Sequence, residues 1–358
     1  MNVGLVSIFD NTNFGNRLQN YALQQVLLGY CKEVKTLKNK SYTGNTSRLL
    51  RKYPVAESIM LNRLAGRNKR AELLRFTKRH IFLSKACYWH DQDDNVPASE
   101  DRCDFFCAGS DQVWNPHMGR SKMFNYLGFA DRERTFSYAA SFGVNEIPEQ
   151  FKEEVRTGLQ HIKYISVRED AGKRIVEELT GRTDAEVLVD PTMLLTAQEW
   201  DKILRKPKAE LPEKYILTYF LGLISPERRD VIQRKARQMD CALIEVMDEN
   251  SPFYAIGPDE FVYLIKHAAL VCTDSFHGSV FSFMYQRKMA IFDREGKGNN
   301  MAGRIDTFTT KFHLENCRVR GNHLPENVPE PDYSEGYQTL ELERKKSETF
   351  LNKVFEKE

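Results

Sequence analysis

The chain has 358 residues, more than one domain usually contains, so two domains are expected. A hydrophobic fraction of 41% and a charged fraction of 28% are typical of a folded globular protein and exclude the disordered and fibrous classes. The formal net charge of +2 is too small to indicate nucleic acid as a partner, and we expect none.

Short apolar runs that end in polar loops alternate with helical patterns along the first half of the chain. The run 3–9 leads into the polar loop 10–16, and a helical pattern begins near Leu18. Further strands are expected at 104–108, 164–167 and 186–189. Strand, polar loop and helix in this order are typical of a parallel α/β sheet.

A polar stretch with Pro and Lys, 205–212, predicts a linker, and a second α/β set follows it. Its expected strands are 215–220, 242–246, 270–273 and 289–292, and its expected helices are 226–239, 258–268 and 279–286. The predicted organisation is an N-terminal domain over 1–204, a C-terminal domain over 213–332 and a helix over 333–358. We therefore expect an α/β fold of two Rossmann-like domains facing a cleft, where ligands bind.

Neither the cysteines nor the termini indicate a metal, a secretory route or a membrane span. The 7 cysteines complete no zinc pattern, so we predict no metal site. Residues 1–9 lack the basic start and cleavage site of a signal peptide, and the longest apolar stretch, 215–224, is too short to cross a bilayer. These features predict a cytoplasmic protein.

The sequence Thr273-Asp274-Ser275-Phe276-His277-Gly278, here called the 273–278 turn, joins an apolar strand to a helical pattern. A strand-to-helix turn with small hydroxyl residues and glycine directs backbone N–H groups at an anion, such as a phosphate or carboxylate. His277 in this turn is a candidate to protonate a substrate or bind its phosphate. The alternative is a histidine that caps its own turn.

Two arginines are candidates for binding an anionic ligand. Arg168 follows the expected strand 164–167, and functional groups of parallel sheets lie at such strand ends. Its guanidinium suits a carboxylate or phosphate, although an ordinary ion pair is the alternative. Arg304 follows a Gly- and Asn-rich loop that we expect to close over a ligand.

Two polar loops are candidates for binding a sugar. Residues 109–116 combine Asp111, Gln112 and Trp114, a mixture of carboxylate, amide and indole that sugar sites use. A loop held by an Asx-turn with a buried Trp is the alternative. The second loop, 13–20, contains Asn16 and Arg17 at a helix start, where helix capping by Asn is the alternative.

Residues 41–85 contain eleven Lys or Arg and two acids, with apolar residues at roughly helical spacing. Such a basic amphipathic region indicates peripheral contact with an anionic membrane, here at its inner face. A solvated helical insertion is the alternative. No recognised RNA-binding module accompanies the charge.

Taken together, these motifs resemble the polysaccharide pyruvyl transferase family. The match covers about residues 3–310, and the motifs occur in consistent order. They are Asn13-Phe14-Gly15-Asn16-Arg17-Leu18-Gln19-Asn20-Tyr21-Ala22-Leu23, Gly109-Ser110-Asp111-Gln112-Val113-Trp114-Asn115, Tyr138-Ala139-Ala140-Ser141-Phe142-Gly143, Ser166-Val167-Arg168-Glu169, Val189-Asp190-Pro191-Thr192, the 273–278 turn and Arg304-Ile305.

The resemblance implies a fold like the GT-B glycosyltransferases and phosphoenolpyruvate as co-substrate, with no cofactor. The product would be a pyruvate ketal on two hydroxyls of a sugar in a glycan or lipid-linked oligosaccharide, with release of phosphate. A GT-B-like glycosyltransferase using a nucleotide sugar and a non-catalytic glycan-binding relative are the alternatives.

The resemblance, together with the chemistry that this reaction requires, predicts roles for particular residues. His277 would be the general acid, and Asp111 would deprotonate an acceptor hydroxyl. Donor binding would fall to Arg168, Ser275, His277, Gly278 and Arg304, and acceptor binding to Asn16, Arg17, Gln112 and Trp114. Family members carry an Arg-Leu-His triplet that reads Ser275-Phe276-His277 here. Either another cation, such as Arg304, replaces the missing arginine, or the donor differs.

Overall fold

A computed structural model describes residues 1–8, 13–40, 67–89, 101–120, 122–296 and 302–356. The chain divides into two compact α/β units. The first comprises Met1–Leu194 and Glu343–Glu358, and the second comprises Leu195–Leu342. The polar stretch 205–212 therefore lies within the second unit.

The first unit is built on a parallel sheet. Its strands are β1 (Asn2–Val6), β2 (Glu33–Lys40), β3 (Leu83–Trp89), β4 (Phe105–Ala108), β5 (Thr135–Ser137), β6 (Ser166–Val167) and β7 (Glu186–Val187). The strand order is β3-β2-β1-β4-β5, and β6 and β7 form a separate parallel pair. Isolated bridges, Phe136 with Tyr164 and Ala140 with Val167, join this pair to the β5 region. Strand order reverses between β1 and β4, which is where parallel α/β sheets bind ligands.

Helices of the first unit pack on this sheet. They are α1 (Phe14–Leu27), α2 (Arg67–His80), α3 (Lys152–His161) and α4 (Asp170–Thr180). Asn13 caps α1 by accepting a hydrogen bond from Gly15 N at 2.8 Å, which is the capping role left open by the sequence. Leu73 and Phe76 of α2 are buried within the protein, so these two apolar side chains do not face a membrane. Residues 41–66 of the basic region lie outside the described residues.

The second unit repeats the design with a second parallel sheet. Its strands are β8 (Tyr215–Tyr219), β9 (Ala242–Glu245), β10 (Leu270–Thr273), β11 (Met289–Phe292) and β12 (Arg318–Val319), in the order β12-β11-β10-β8-β9. Its helices are α5 (Ala197–Asp201), α6 (Pro226–Gln238), α7 (Pro258–His267), α8 (Phe276–Met284) and α9 (Ala302–Lys311). The order reverses between β8 and β10, so residues that follow these two strands lie at the switch point.

The last helix, α10 (Tyr333–Phe355), is shared between the units along its length. Its final turns belong to the first unit, where Phe350, Leu351, Val354 and Phe355 join a core cluster with Val3 and Leu5 of β1. This apolar face is the one that the helical spacing predicts. Burial of these side chains fixes the C-terminal end of the chain on the first unit.

Candidate functional site

The 273–278 turn lies at the switch point of the second unit, directly after β10. Thr273 Oγ1 donates to Tyr219 O of β8 at 2.6 Å and accepts from Ser275 N at 3.0 Å. Ser275 is the N-cap of α8, and its hydroxyl accepts from Gly278 N at 3.4 Å. These bonds tie the start of α8 to the carboxyl ends of the two central strands.

The helix begins three residues earlier than the sequence indicated. The sequence predicts a helix from Ser279, but Ser275 caps the helix and Phe276 is its first residue. Gly278 therefore lies inside the first turn of α8. A Cβ at this position would lie 2.6 Å from Thr273 Oγ1, so glycine is required by the close approach of helix and strand.

Asp274 is fully buried and holds the loop that follows β8. Its Oδ1 accepts from Leu221 N at 2.7 Å, and its Oδ2 accepts from Gly222 N at 2.8 Å. These two bonds fix the loop that follows β8 to the beginning of the 273–278 turn. The sequence pattern does not single out Asp274, although this residue stands within the turn.

His277 is the second residue of α8 and is 6% exposed. Its ring lies edge-on to the Phe276 ring, with centroids 5.3 Å apart. Backbone N–H groups of the first turn point toward the N-terminal end of a helix, where an anion is stabilised. An imidazole in this turn is therefore positioned to act beside a bound anion.

Arg304 lies in the first turn of α9 and is 5% exposed. Phe308, four residues later on the same face of the helix, packs against Phe276 at a centroid distance of 5.8 Å. This contact brings the Arg304 face of α9 toward the beginning of α8. The loop 297–301 before it lies outside the described residues.

In the first unit, Arg168 follows β6 and is surrounded by three acids. Its Nη1 donates to Asp190 Oδ2 at 2.8 Å, its Nη2 lies 3.4 Å from Asp111 Oδ1, and its Nε lies 3.8 Å from Glu169 Oε2. The side chain is 2% exposed. The structure therefore contains an ion pair of Arg168, which is the alternative to an anion clamp.

The electrostatics of this cluster favour a permanently charged arginine. Burial alone would lower the pKa of Arg168, but Asp190, Asp111 and Glu169 together raise it above its ordinary value. Asp190 is also held by Ser110 Oγ at 3.0 Å and by Thr192 Oγ1 at 2.7 Å. Neither Asp190 nor Glu169 was proposed as a functional residue from the sequence, even though both stand in the motifs quoted above.

Asp111 follows β4 at the switch point of the first unit. Its φ of 68° places it in the left-handed region, which costs energy for a residue other than glycine. Backbone strain of this kind is concentrated at functional sites, and here it turns the Asp111 carboxylate toward Arg168.

Asn16 and Arg17 lie in the first turn of α1, which follows β1 at the same switch point. Asn16 is 4% exposed, and Arg17 is fully buried. Arg17 Nη2 donates to Ile8 O just after β1. This bond anchors α1 to the carboxyl end of β1, which is a structural role for Arg17, and its role in acceptor binding stays a prediction.

Gln112 and Trp114 have different surroundings. Gln112 is half-buried and accepts from Asn115 Nδ2, and Asn115 in turn caps the short helix Pro116–Met118. Trp114 is fully buried, stacks on Tyr126 at 5.3 Å and donates from Nε1 to Asn125 O at 3.0 Å. The expectation that Trp114 stacks on a sugar is therefore wrong, because its ring is part of the core.

Membrane-spanning helices and metal sites are both absent from the part of the chain that the structure describes. No helix there is long and apolar enough to cross a membrane. Within the same ranges, no group of three or more His, Cys, Asp or Glu side chains is arranged to hold a metal ion.

Comparison with solved structures shows the type of fold. The chain is similar to UDP-GlcNAc 2-epimerase from Neisseria meningitidis bound to UDP-GlcNAc, with 10% identity, 99% of this chain and 100% of that chain covered, and a TM-score of 0.51. A putative UDP-N-acetylglucosamine 2-epimerase from Listeria monocytogenes has 10% identity, coverage of 95% and 94%, and a TM-score of 0.50. The fold is thus of the GT-B type.

The family follows from the sequence. The polysaccharide pyruvyl transferase family model matches residues 13–296, and the chain belongs to this family. This membership supports a transferase that acts on polysaccharide, and it confirms the resemblance drawn from the motifs. No curated protein matches the chain significantly.

Proposed function

We propose that the protein transfers the pyruvyl group of phosphoenolpyruvate to two hydroxyls of a sugar in a glycan or lipid-linked oligosaccharide. The product is a cyclic ketal, and inorganic phosphate is released. The observation that carries the proposal is the position of His277, a buried imidazole in the first turn of α8 at the switch point of the second unit. Family membership supports the transferase class.

The donor is assigned to the second unit. Phosphoenolpyruvate carries a phosphate and a carboxylate, which suit the N-terminal end of α8. In Rossmann-type domains that bind dinucleotides, the loop after the first strand holds the pyrophosphate by its backbone N–H groups. In the second unit the first strand is β8, and in the loop that follows it the N–H groups of Leu221 and Gly222 donate to the Asp274 carboxylate. This arrangement favours a small donor at α8 over a nucleotide diphosphate at the β8 loop.

The acceptor is assigned to the first unit. Arg168 pairs with the carboxylates of Asp111, Glu169 and Asp190, so its guanidinium is already engaged within the protein. Three carboxylates around the guanidinium disfavour phosphoenolpyruvate, itself an anion, as its ligand. Carboxylate oxygens, by contrast, accept hydrogen bonds from sugar hydroxyls.

Within this assignment, Arg168 has a positioning role. It holds the Asp111 and Asp190 carboxylates in place rather than clamping the donor. Asn16 and Gln112, which lie near the same strand ends, are retained as acceptor residues. Trp114 is not retained.

The reaction has two steps, in which His277 supplies a proton and Asp111 accepts one. The oxygen of one acceptor hydroxyl bonds to C2 of phosphoenolpyruvate while His277 gives a proton to C3, and Asp111 accepts the proton of that hydroxyl. The oxygen of the second hydroxyl then bonds to C2 as the bond from C2 to the phosphate oxygen breaks, and the proton of this hydroxyl leaves with the phosphate. General acid catalysis of this kind is worth roughly 10²–10⁴-fold in rate.

Ligand-induced thermal stabilisation tests the donor. Phosphoenolpyruvate at about 100 times its Kd should stabilise the protein by about 2.7 kcal/mol, whereas UDP- and GDP-sugars should leave the Tm unchanged. Stabilisation by a nucleotide sugar without an effect of phosphoenolpyruvate would contradict the proposal and favour a glycosyltransferase.

Phosphate release from phosphoenolpyruvate in the presence of a panel of sugars and lipid-linked glycans tests the catalytic role. His277→Ala should lower the rate by roughly 10²–10⁴-fold, the contribution expected of a general acid. His267→Ala is the matched control, because His267 lies exposed at the end of α7 in the same unit. An unchanged rate in His277→Ala would remove this residue from the mechanism.

A further inference from the structure

Arg294 brings a positive charge to the 273–278 turn from a neighbouring strand. It follows β11, which pairs with β10 so that Thr273 lies opposite Ile291. The Arg294 side chain reaches back to Asp274, where its Nη2 donates to the backbone oxygen at 3.3 Å and its Nε lies 3.4 Å from Oδ2. Neither the motifs nor the helical spacing indicated this residue.

The chain makes room for this side chain. A Cβ at Gly222 would lie 2.6 Å from Arg294 Cγ and 2.5 Å from Glu295 O. Any larger residue at position 222 would therefore displace Arg294 from the turn. Glycine after β8 thus allows Arg294 to lie over the switch point of the second unit.

The need to stabilise Asp274 does not explain why an arginine occupies position 294. Two backbone N–H groups already hold the Asp274 carboxylate. The ion pair with Arg294 is not a two-bond fork, because Nε lies beyond normal hydrogen-bond distance of Oδ2 and Nη2 bonds to the backbone instead. Across the described residues, Asp274 is the one recorded polar partner of this guanidinium, which leaves the hydrogens of Nη1 for another acceptor.

Arg228 of the same unit shows what a structural arginine looks like in this fold. All three of its guanidinium nitrogens have partners: Nε donates to Asn322 Oδ1 at 3.1 Å, Nη1 donates to Asp293 O at 2.9 Å, and Nη2 lies 2.9 Å from Glu295 Oε1. Its side chain is 2% exposed, whereas that of Arg294 is 13% exposed. Arg294 is therefore both less engaged and more accessible.

We propose that Arg294 binds an oxyanion of the donor at the N-terminal end of α8. The inference rests on the proposed function, because it takes phosphoenolpyruvate as the donor. Ser275 itself supplies no charge to the turn, and its hydroxyl is used to cap Gly278 N. Arg294, whose Nη2 bonds to the carbonyl of the residue just before Ser275, supplies that charge from another strand.

Calorimetric titration of purified variants with phosphoenolpyruvate tests the proposal. A hydrogen bond between charged groups is worth about 1.5–3 kcal/mol, so Arg294→Gln should raise the Kd roughly 10–100-fold. Arg294→Lys keeps the charge and should recover part of the affinity, which a merely structural role would not produce. It also serves as the second variant if Arg294→Gln fails to fold, as judged by circular dichroism.

Arg318→Gln is the matched control. Arg318 lies on β12, pairs with Asp293 at 2.6 Å, and is 16% exposed, so it resembles Arg294 in pairing and accessibility. Its substitution should leave the Kd unchanged. If folded Arg294→Gln bound phosphoenolpyruvate with the wild-type Kd, this inference would be overturned but the proposed function would not. An equal loss of affinity in Arg318→Gln would have the same consequence. Absence of phosphoenolpyruvate binding to the wild-type protein would overturn the proposed function instead.

Discussion

Asp274→Asn should destabilise the second unit severely, although the substitution keeps the size of the side chain. The amide oxygen can still accept from Leu221 N, but the amide nitrogen would face Gly222 N, a second donor, at the present 2.8 Å. The carboxylate charge that pairs with Arg294 is lost as well. Since Asp274 is fully buried, we expect a loss of about 3–5 kcal/mol, as when one partner of a buried charged pair is removed.

Urea unfolding followed by hydrogen–deuterium exchange measures this loss for the second unit alone, using peptides from β8 and α8. Asp293→Asn is the control. Asp293 follows β11 and also pairs with an arginine, but its side chain is 58% exposed, so its substitution should cost at most about 1 kcal/mol. Equal unfolding midpoints for the two variants would refute the view that Asp274 holds the β8 loop.

Three further predictions test other parts of the molecule. Gly278→Ala should lower the urea midpoint, with a cost of about 1–3 kcal/mol, because a Cβ would lie 2.6 Å from Thr273 Oγ1. Trp114→Phe should lower the unfolding free energy by about 1–3 kcal/mol, because the hydrogen bond to Asn125 O is lost. The KM for the acceptor should not change. A raised KM at unchanged stability would instead indicate that the ring stacks on a sugar. Burial raises the pKa of the Cys103 thiol from 9.0 to about 11. The buried neutral thiol therefore contributes its full stabilisation below pH 9.0, and this stabilisation is lost as the pH rises to about 11. The unfolding free energy of Cys103→Ala should accordingly fall less than that of the wild type between these two pH values.

Much of the fold was predictable because the strands are short and buried on both faces. The apolar run Leu270–Thr273 is β10 with the expected bounds, and Met289–Phe292 is β11. Runs of this kind, followed by polar loops and helical patterns, leave few alternatives to a parallel α/β sheet. The family was predictable for a different reason: the motifs occur in a fixed order, and the family match over 13–296 agrees.

The start of α8 was missed because Gly278 was interpreted as part of the turn. Glycine is a poor helix former, so a helix beginning at Ser279 was the natural prediction. Ser275 is nevertheless a good N-cap, and the glycine is there because Thr273 leaves no room for a Cβ. The capping serine was a signal in the sequence that could have given the correct start.

The partners of Arg168 and the environment of Trp114 depend on tertiary packing. A strand-end arginine has the same local sequence whether it binds a ligand or Asp190, which lies 22 positions later in the chain. The loop containing Trp114 likewise fits both a sugar platform and a buried indole. Only the packing of Tyr126 against that ring decides between them.

The two units use the same element for different purposes. In each, an aspartate that follows a strand pairs with an arginine that follows a neighbouring strand: Asp190 with Arg168 in the first unit, and Asp274 with Arg294 in the second. In the first unit two further acids, Asp111 and Glu169, also pair with the arginine. In the second, backbone N–H groups hold the aspartate, Asp274 is the one acid paired with Arg294 among the described residues, and Nη1 of Arg294 remains for a ligand. This difference in how the aspartate is held is why we assign the anionic donor to the second unit and the hydroxyl-bearing acceptor to the first.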